Sequence, residues 1–469
     1  MHRAIRPGEM ATLGIVEVTG ASDQRRPGNA GRKPVAMVER DDLVALTATE
    51  AARRIRARSL TSVQLVTACL ERIREREPDL EAWVEVDAEA ALAEAAARDA
   101  TAPQGALHGV PVGIKDNADA LPFFTRFGSP IYRDNKPRRD AAHVAKLRAE
   151  GAVILGKTVT TEFTAMSPGP TRNPRGPGRT PGGSSSGSAA ALADHHVPLA
   201  TGSQTVSSLV RPAAFCGVYG WKASFGRLPL EGMLATSATL DTLGFLSRSV
   251  DDLLLLHEIF LGELPQPPAP ASLRIGLHAG PTSNEWHPEM QGLLARAGEK
   301  LRQAGLTVDD VDPLPFSVDE GIERHWQIMS HEIAALLAPR IQGKESQVTA
   351  ALLDLLEEGR RVSGQTYVQA MEGRESDRAA LAGLWADCDF LLTPAALGPA
   401  TNGLASTGNG LCGRLWSYLA VPSIACPMGA TEVDCLPLGL QTIGPEGHDG
   451  ATLQATKIIA EIVGSPFAP

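Results

Sequence analysis

Residues Thr180–Ala190 read TPGGSSSGSAA, four serines and three glycines in eleven positions. Taken alone, such a stretch is a flexible linker. Its neighbours raise three sharper readings, and each implies a different fold. The nucleophile elbow GxSxG fits Gly183–Gly187 with Ser185 at its centre, but an elbow presents its serine from a strand that runs straight into the turn. The preceding NPRGPGRTP at 173–181 holds too many breakers for a strand, and all of Pro168–Gly183 reads as loop. A histidine base would have to be His195, His196, His257, His278, His287, His325, His331 or His448, and no sequence context singles one out. A phosphate cradle is suggested by GAVILGKT (Gly151–Thr158), which has the GxxxxGK[ST] spacing. Its middle, Ala152–Leu155, is an apolar strand whose amides belong to a sheet ladder and are not free to meet phosphate.

The third reading activates a serine with lysine, which becomes a base once burial removes its proton. Lys115 ends GVPVGIKDN (Gly109–Asn117), a short buried strand. Standing alone, it reads equally as a lysine emerging into solvent.

Working outward, Thr61 and Gln64 form a capping-box pair, and Leu65, Val66, Cys69, Leu70 and Ile73 line one helix face before Pro78. An Ala-rich helix is expected over Glu89–Asp99. Asp140 is placed to cap a helix through Val144 and Leu147 to Gly151, ahead of a strand at Ala152–Leu155. Beyond the connection LPQPPAP (Leu264–Pro270), LRIGL, a helix over Glu289–Gln303, LTVDDV and the buried strand FLLTPA (Phe390–Ala395) continue the alternation, which implies α/β layering. Residues 1–40 read as a poorly ordered tail, with Met37 a candidate alternative start, and 41–469 as one domain.

With 469 residues, 43% hydrophobic and 4% aromatic, the chain can bury a large core. A net charge of −10 with no sustained Lys/Arg run gives no electrostatic reason to expect nucleic acid or an anionic membrane as partner. A small neutral or anionic substrate is expected instead. Cys69, Cys216, Cys388, Cys412, Cys426 and Cys435 form no CxxC pair, so neither a disulfide framework nor a zinc site is expected, and the six read as buried reduced thiols. No apolar run reaches the ~18 residues of a membrane span, and the start lacks a signal-peptide pattern. These features point to a soluble cytoplasmic protein without cofactor or metal.

The order GVPVGIKDN, TPGGSSSGSAA, ATGSQTVSSLVRPAAFCGVYGWKAS (Ala200–Ser224) resembles the amidase signature family. So do TSVQLV near 61, AEGAVILGKTVTTEF at 149–163, VPSIACPMG at 421–429 and LPLGLQTIG at 436–444, so that the likeness covers roughly residues 42–463. It implies an α/β fold with a large mixed central sheet sandwiched between helices, and a Ser-cisSer-Lys triad. By position, Lys115 matches the base, Ser184 the relay serine held by a cis peptide bond, and Ser208, 24 residues later, the nucleophile. Backbone N–H groups of Thr205, Val206, Ser207 and Ser208 match the oxyanion hole. Members usually carry two glycines where this chain has Val206 and Ser207, which implies a reshaped or narrower hole; Ser186, where many members have Gly, is a smaller departure. Arg211 is either a fork for a substrate carboxylate or a tie to a carboxylate of the protein. Ser185 and Gln204 are further substrate-side candidates, while Gln204, Asp116 and Asn117 also read as groups that hold the site in shape.

The resemblance implies an amidase that cleaves a small carboxylic amide through an acyl-enzyme. Alternatives with the same triad are hydrolysis of a carbamate, urea derivative or aryl amide, and ammonia release from glutamine as the A-type subunit of a tRNA amidotransferase. From another class comes a non-catalytic binding protein on the same fold. A homodimer is the assembly favoured by base rate.

Overall fold

The computed structural model describes residues 40–282 and 284–467. The expected N-terminal tail lies outside them except for Arg40, which opens the helix Arg40–Ala45. Among the described residues eleven strands are formed: β1 (Trp83–Val86), β2 (Pro111–Lys115), β3 (Val153–Thr158), β4 (Leu199–Gln204), β5 (Tyr219–Lys222), β6 (Thr242–Ser247), β7 (Arg274–Leu277), β8 (Thr307–Asp310), β9 (Phe390–Pro394), β10 (Ser423–Ala430) and β11 (Pro437–Ile443). They join in one sheet of order β1-β3-β2-β4-β6-β5-β10-β11-β9-β7-β8. β2 runs parallel to both β3 and β4, and β7 parallel to β8 and β9, whereas the other pairings are antiparallel. The sheet is therefore mixed, and helices sandwich it. Val210–Cys216 and Asp449–Val463 both pack on β10 and β11. Such strands are buried on both faces, which is why β2, β3 and β9 read as continuous apolar runs rather than as alternation.

The capping box forms as its residues dictate. Thr61 accepts from the Gln64 amide, and the Gln64 side chain accepts from the Thr61 amide, at 3.1 and 2.9 Å. The helix does not stop at Pro78 but runs Ser62–Leu80. A proline this near the end costs little more than one helical hydrogen bond, and Glu81, at φ 52°, closes the helix by donating its N–H to Glu77. Asp140 is not a cap. The helix is Ala142–Ala149 without a side-chain cap, because the Asp140 carboxylate accepts from the Leu121 amide and the Arg148 guanidinium instead. The stretch 318–384, which carries no motif, folds as Val318–Ile341, Ala350–Arg361 and Gly364–Leu384 around a second core that includes Ile328, Ile333, Leu337, Leu352, Leu355 and Leu381. Among the described residues no helix is long and apolar enough to cross a membrane. Five cysteines are buried and Cys435 is exposed, against the expectation that all six are buried.

The serine loop enters the helix Ser186–Ala193, which packs on β2, β3 and β4. Gly187 sits where a Cβ would lie 2.2 Å from the Ala82 carbonyl oxygen and 2.3 Å from the Val159 nitrogen. A backbone cannot move aside as a flexible side chain does. Gly187→Ala is expected to destabilise by about 1–3 kcal/mol, read as a lower urea midpoint; an unchanged midpoint would contradict this packing.

Candidate active site

β2 and β4 run side by side with Gly113 opposite Ala200. Alternation on β4 puts Thr201 and Ser203 on one face, and both meet Lys115. Thr201 Oγ1 accepts from the Lys115 amide at 2.9 Å. Lys115 Nζ donates to Ser203 Oγ at 2.8 Å and to Ser184 Oγ at 2.7 Å. Asn117 Nδ2 also donates to Ser203 Oγ, at 3.0 Å. The Gly183–Ser184 peptide bond is cis. Lys115 is 1% exposed, and burial pushes its ammonium down from an ordinary value near 10.5 to about 7, against the opposing pull of the Asp241 carboxylate. About half of the lysine is then neutral at pH 7. The motifs do not single out Ser203, although its two-residue spacing from Thr201 on a strand beside β2 is the signal that finds it.

Lys157, from the phosphate-loop look-alike, lies within β3 and serves no phosphate. Its Nζ is 2.9 Å from Asp116 Oδ1, both side chains fully buried, and it also donates to the Ala118 carbonyl and Thr125 Oγ1. Asp116 further accepts from the Arg126 amide. Lys115 is thereby followed by a residue that cannot swing.

The segment 205–208 leaves β4 as a turn before the helix Val210–Cys216. The Ser185 N–H donates to the Ser208 carbonyl at 3.1 Å, which ties this segment to the serine loop. Ser208 is partly exposed and its hydroxyl forms no hydrogen bond with another described residue, so the structure brings Lys115 and Ser184 into contact but ties Ser208 to the serine loop only through backbone. Neither Val206 nor Ser207 has a positive φ. The turn is thus one that residues other than glycine adopt without strain. Thr205 Oγ1 donates to Asp241 at 2.6 Å, anchoring the start of the turn.

Three expected substrate-side residues are occupied by the protein itself. Gln204 Oε1 accepts from the amides of Leu209 and Val210 at 3.1 and 3.0 Å, and its Nε2 donates to Ser417 Oγ, so it shapes the turn instead of facing a ligand. Ser185 is fully buried, with its hydroxyl against the Ser203 backbone, which also removes the elbow reading. Arg211 is buried and donates to the Gly183 and Gly408 carbonyls and to Thr407 Oγ1 at 2.7, 2.8 and 3.0 Å. It ties loops together, through carbonyl and hydroxyl oxygens rather than a carboxylate. A cavity of about 80 Å³ is lined by Asn117, Thr205, Met233, Leu234, Asp241 and Ser203, the last of which accepts from the lysine. No group of His, Cys, Asp and Glu suited to a metal ion exists among the described residues.

The profile of the family described as Amidase matches residues 64–453. The A-type subunit of the glutamyl-tRNA(Gln) amidotransferase of Thermus thermophilus is 33% identical, over 87% of this chain and 96% of that one. The 2-amino-5-chloromuconic acid deaminase of Comamonas testosteroni is 31% identical, over 90% and 97%. The native peptide amidase from Stenotrophomonas maltophilia superposes with a TM-score of 0.78 at 27% identity, over 93% of this chain and 99% of that one. The chain belongs to the amidase signature family and is a hydrolase of amide C–N bonds.

Proposed function

We propose that this protein hydrolyses a small carboxylic amide through an acyl-enzyme on Ser208, with Ser184 as relay and Lys115 as base. The observation that carries the reading is the 2.7 Å contact between Lys115 Nζ and Ser184 Oγ at a lysine that burial holds near neutrality. Neutral Lys115 takes the Ser184 proton while Ser184 takes that of Ser208, and the Ser208 oxygen attacks the amide carbon. On collapse of the tetrahedral adduct the C–N bond breaks, and the proton returns through Ser184 to the departing nitrogen, without which an amine is too poor a leaving group. Water then enters by the same relay and releases the acid. Ser203, which shares the lysine with Ser184, keeps Nζ in place as the proton moves.

A second reading, ammonia release from glutamine as an amidotransferase A-type subunit, is favoured by the likeness to the Thermus thermophilus protein. It calls for partner subunits, whereas the first reading calls for turnover by the chain alone.

Labelling with a fluorophosphonate, followed by peptide mapping, tests the nucleophile. One adduct per chain on Ser208 is expected, and Ser208→Ala is expected to abolish it and to lower amide turnover at least about 1,000-fold with little change in melting temperature. An adduct on Ser185, or labelling that survives Ser208→Ala, overturns the assignment. Turnover of simple aliphatic and aryl amides, glutamine among them, by the isolated chain is what the first reading expects, and an isolated chain inactive on all of them favours the second.

A further inference from the structure

The turn 205–208 is held from behind by two side chains on different helices. His325, fully buried on Val318–Ile341, has its Nε2 2.9 Å from the Thr205 carbonyl oxygen. Burial pushes its imidazole down to about 3, so the ring is neutral, with one N–H, and the carbonyl partner fixes that proton on Nε2. Ser417, on Leu411–Tyr418, donates its hydroxyl to the Val206 carbonyl at 2.9 Å and accepts from Gln204 Nε2 at 3.0 Å. The two helices pack against each other. In a trans peptide the N–H points opposite to the C=O. With the Thr205 and Val206 carbonyls both drawn to this helix pair, the N–H groups of Val206 and Ser207 face the other way, and among the described residues no acceptor meets either of them.

We infer that His325 and Ser417 are positioning residues of the oxyanion hole: they fix the two peptide planes so that the Val206 and Ser207 N–H groups are aimed before substrate arrives. The inference rests on the acyl-enzyme reading above. A hole works by donors already oriented where charge develops. In a turn without glycine that orientation comes from outside the turn. Gln204 and Asp241 clamp its two flanks, and His325 and Ser417 clamp its carbonyls. The Ser207 side chain is directed at the second of these helices, Leu411–Tyr418: a Cβ on Gly413 would stand 2.4 Å from Ser207 Oγ, so a glycine there accommodates the serine.

The test is the second-order rate of fluorophosphonate labelling at Ser208 as a function of pH, for the wild type, His325→Phe, His325→Gln, Ser417→Ala, Ser417→Thr and Lys115→Ala. His325→Phe and Ser417→Ala are each expected to lower the plateau rate at least tenfold, with the midpoint left near pH 7 because Lys115 still sets it. The donors in His325→Gln and Ser417→Thr are expected to restore most of the rate. A merely structural role predicts lower melting temperature without that donor-dependent rescue. Ser417→Ala carries the test if His325→Phe does not fold. Plateau rates in both donor-free variants within twofold of wild type, with labelling still dependent on Lys115, overturn the inference alone. Absence of labelling in the wild type, or labelling that persists in Lys115→Ala, overturns the acyl-enzyme reading and the inference with it.

Discussion

Lys115→Met is expected to give a protein that no longer turns over amides and is harder to unfold below neutral pH. Lys115 is held near 7 in the folded chain against about 10.5 ordinarily, so the unfolded state binds more protons across that window. Stability therefore rises with pH between about 7 and 10, and the penalty for the buried ammonium is complete below about 7. Removing the group relieves a cost on the order of 4 kcal/mol at pH 6, offset by about 1 kcal/mol for the hydrogen bonds lost at Ser184 and Ser203. Thermal or urea unfolding at pH 6 should show the variant more stable by about 3 kcal/mol, and at pH 10 equal to wild type or slightly weaker. Turnover should fall at least about 1,000-fold at both pH values. A variant that is less stable at pH 6 would mean that the lysine is not held in its neutral form, and the base would have to be sought elsewhere.

The legible part of the fold is the part where one residue type decides a local structure. Apolar runs mark β2, β3 and β9, and the Thr61–Gln64 pair marks a helix start, since each of these depends on near neighbours. The helices between 318 and 384 escape such a reading because they are joined by packing on one another in a second core, in sequence that carries no motif. Asp140 misleads for a related reason. A carboxylate just ahead of a helix is a natural cap, but Leu121 and Arg148 compete for it in three dimensions. In the site, Lys115, Ser184 and Ser208 are readable through resemblance, and so is the question that Val206 and Ser207 raise. Its answer is not. His325, Ser417 and Asp241 lie 33 to 209 residues from Ser208, and nothing local distinguishes His325 from the chain's other histidines.

Breaking the ion pair beside the lysine is the second large effect expected. Asp116 and Lys157 are both fully buried, 2.9 Å apart. Burial pushes the carboxyl up and the ammonium down, and each charge counters that push on its partner. Lys157→Met leaves an uncompensated carboxylate that keeps the hydrogen bond from the Arg126 amide, at a cost of about 3–5 kcal/mol. Asp116→Asn should cost less, because the Lys157 ammonium keeps the Ala118 carbonyl and the Thr125 hydroxyl as acceptors. The pH dependence of Lys157→Met follows from its unpaired carboxyl. With its folded pKa raised above about 3.9, the group is tolerated when protonated, so the loss of stability should be largest near neutrality and shrink toward pH 4. Urea unfolding of the two variants at pH 4.5 and 7.5 checks this. A loss below about 1 kcal/mol for Lys157→Met at pH 7.5 would show the pair to be dispensable. A large loss with the expected pH dependence would instead give the strand lysine that mimics a phosphate loop its role here, as the counter-ion that lets a carboxylate sit buried next to Lys115.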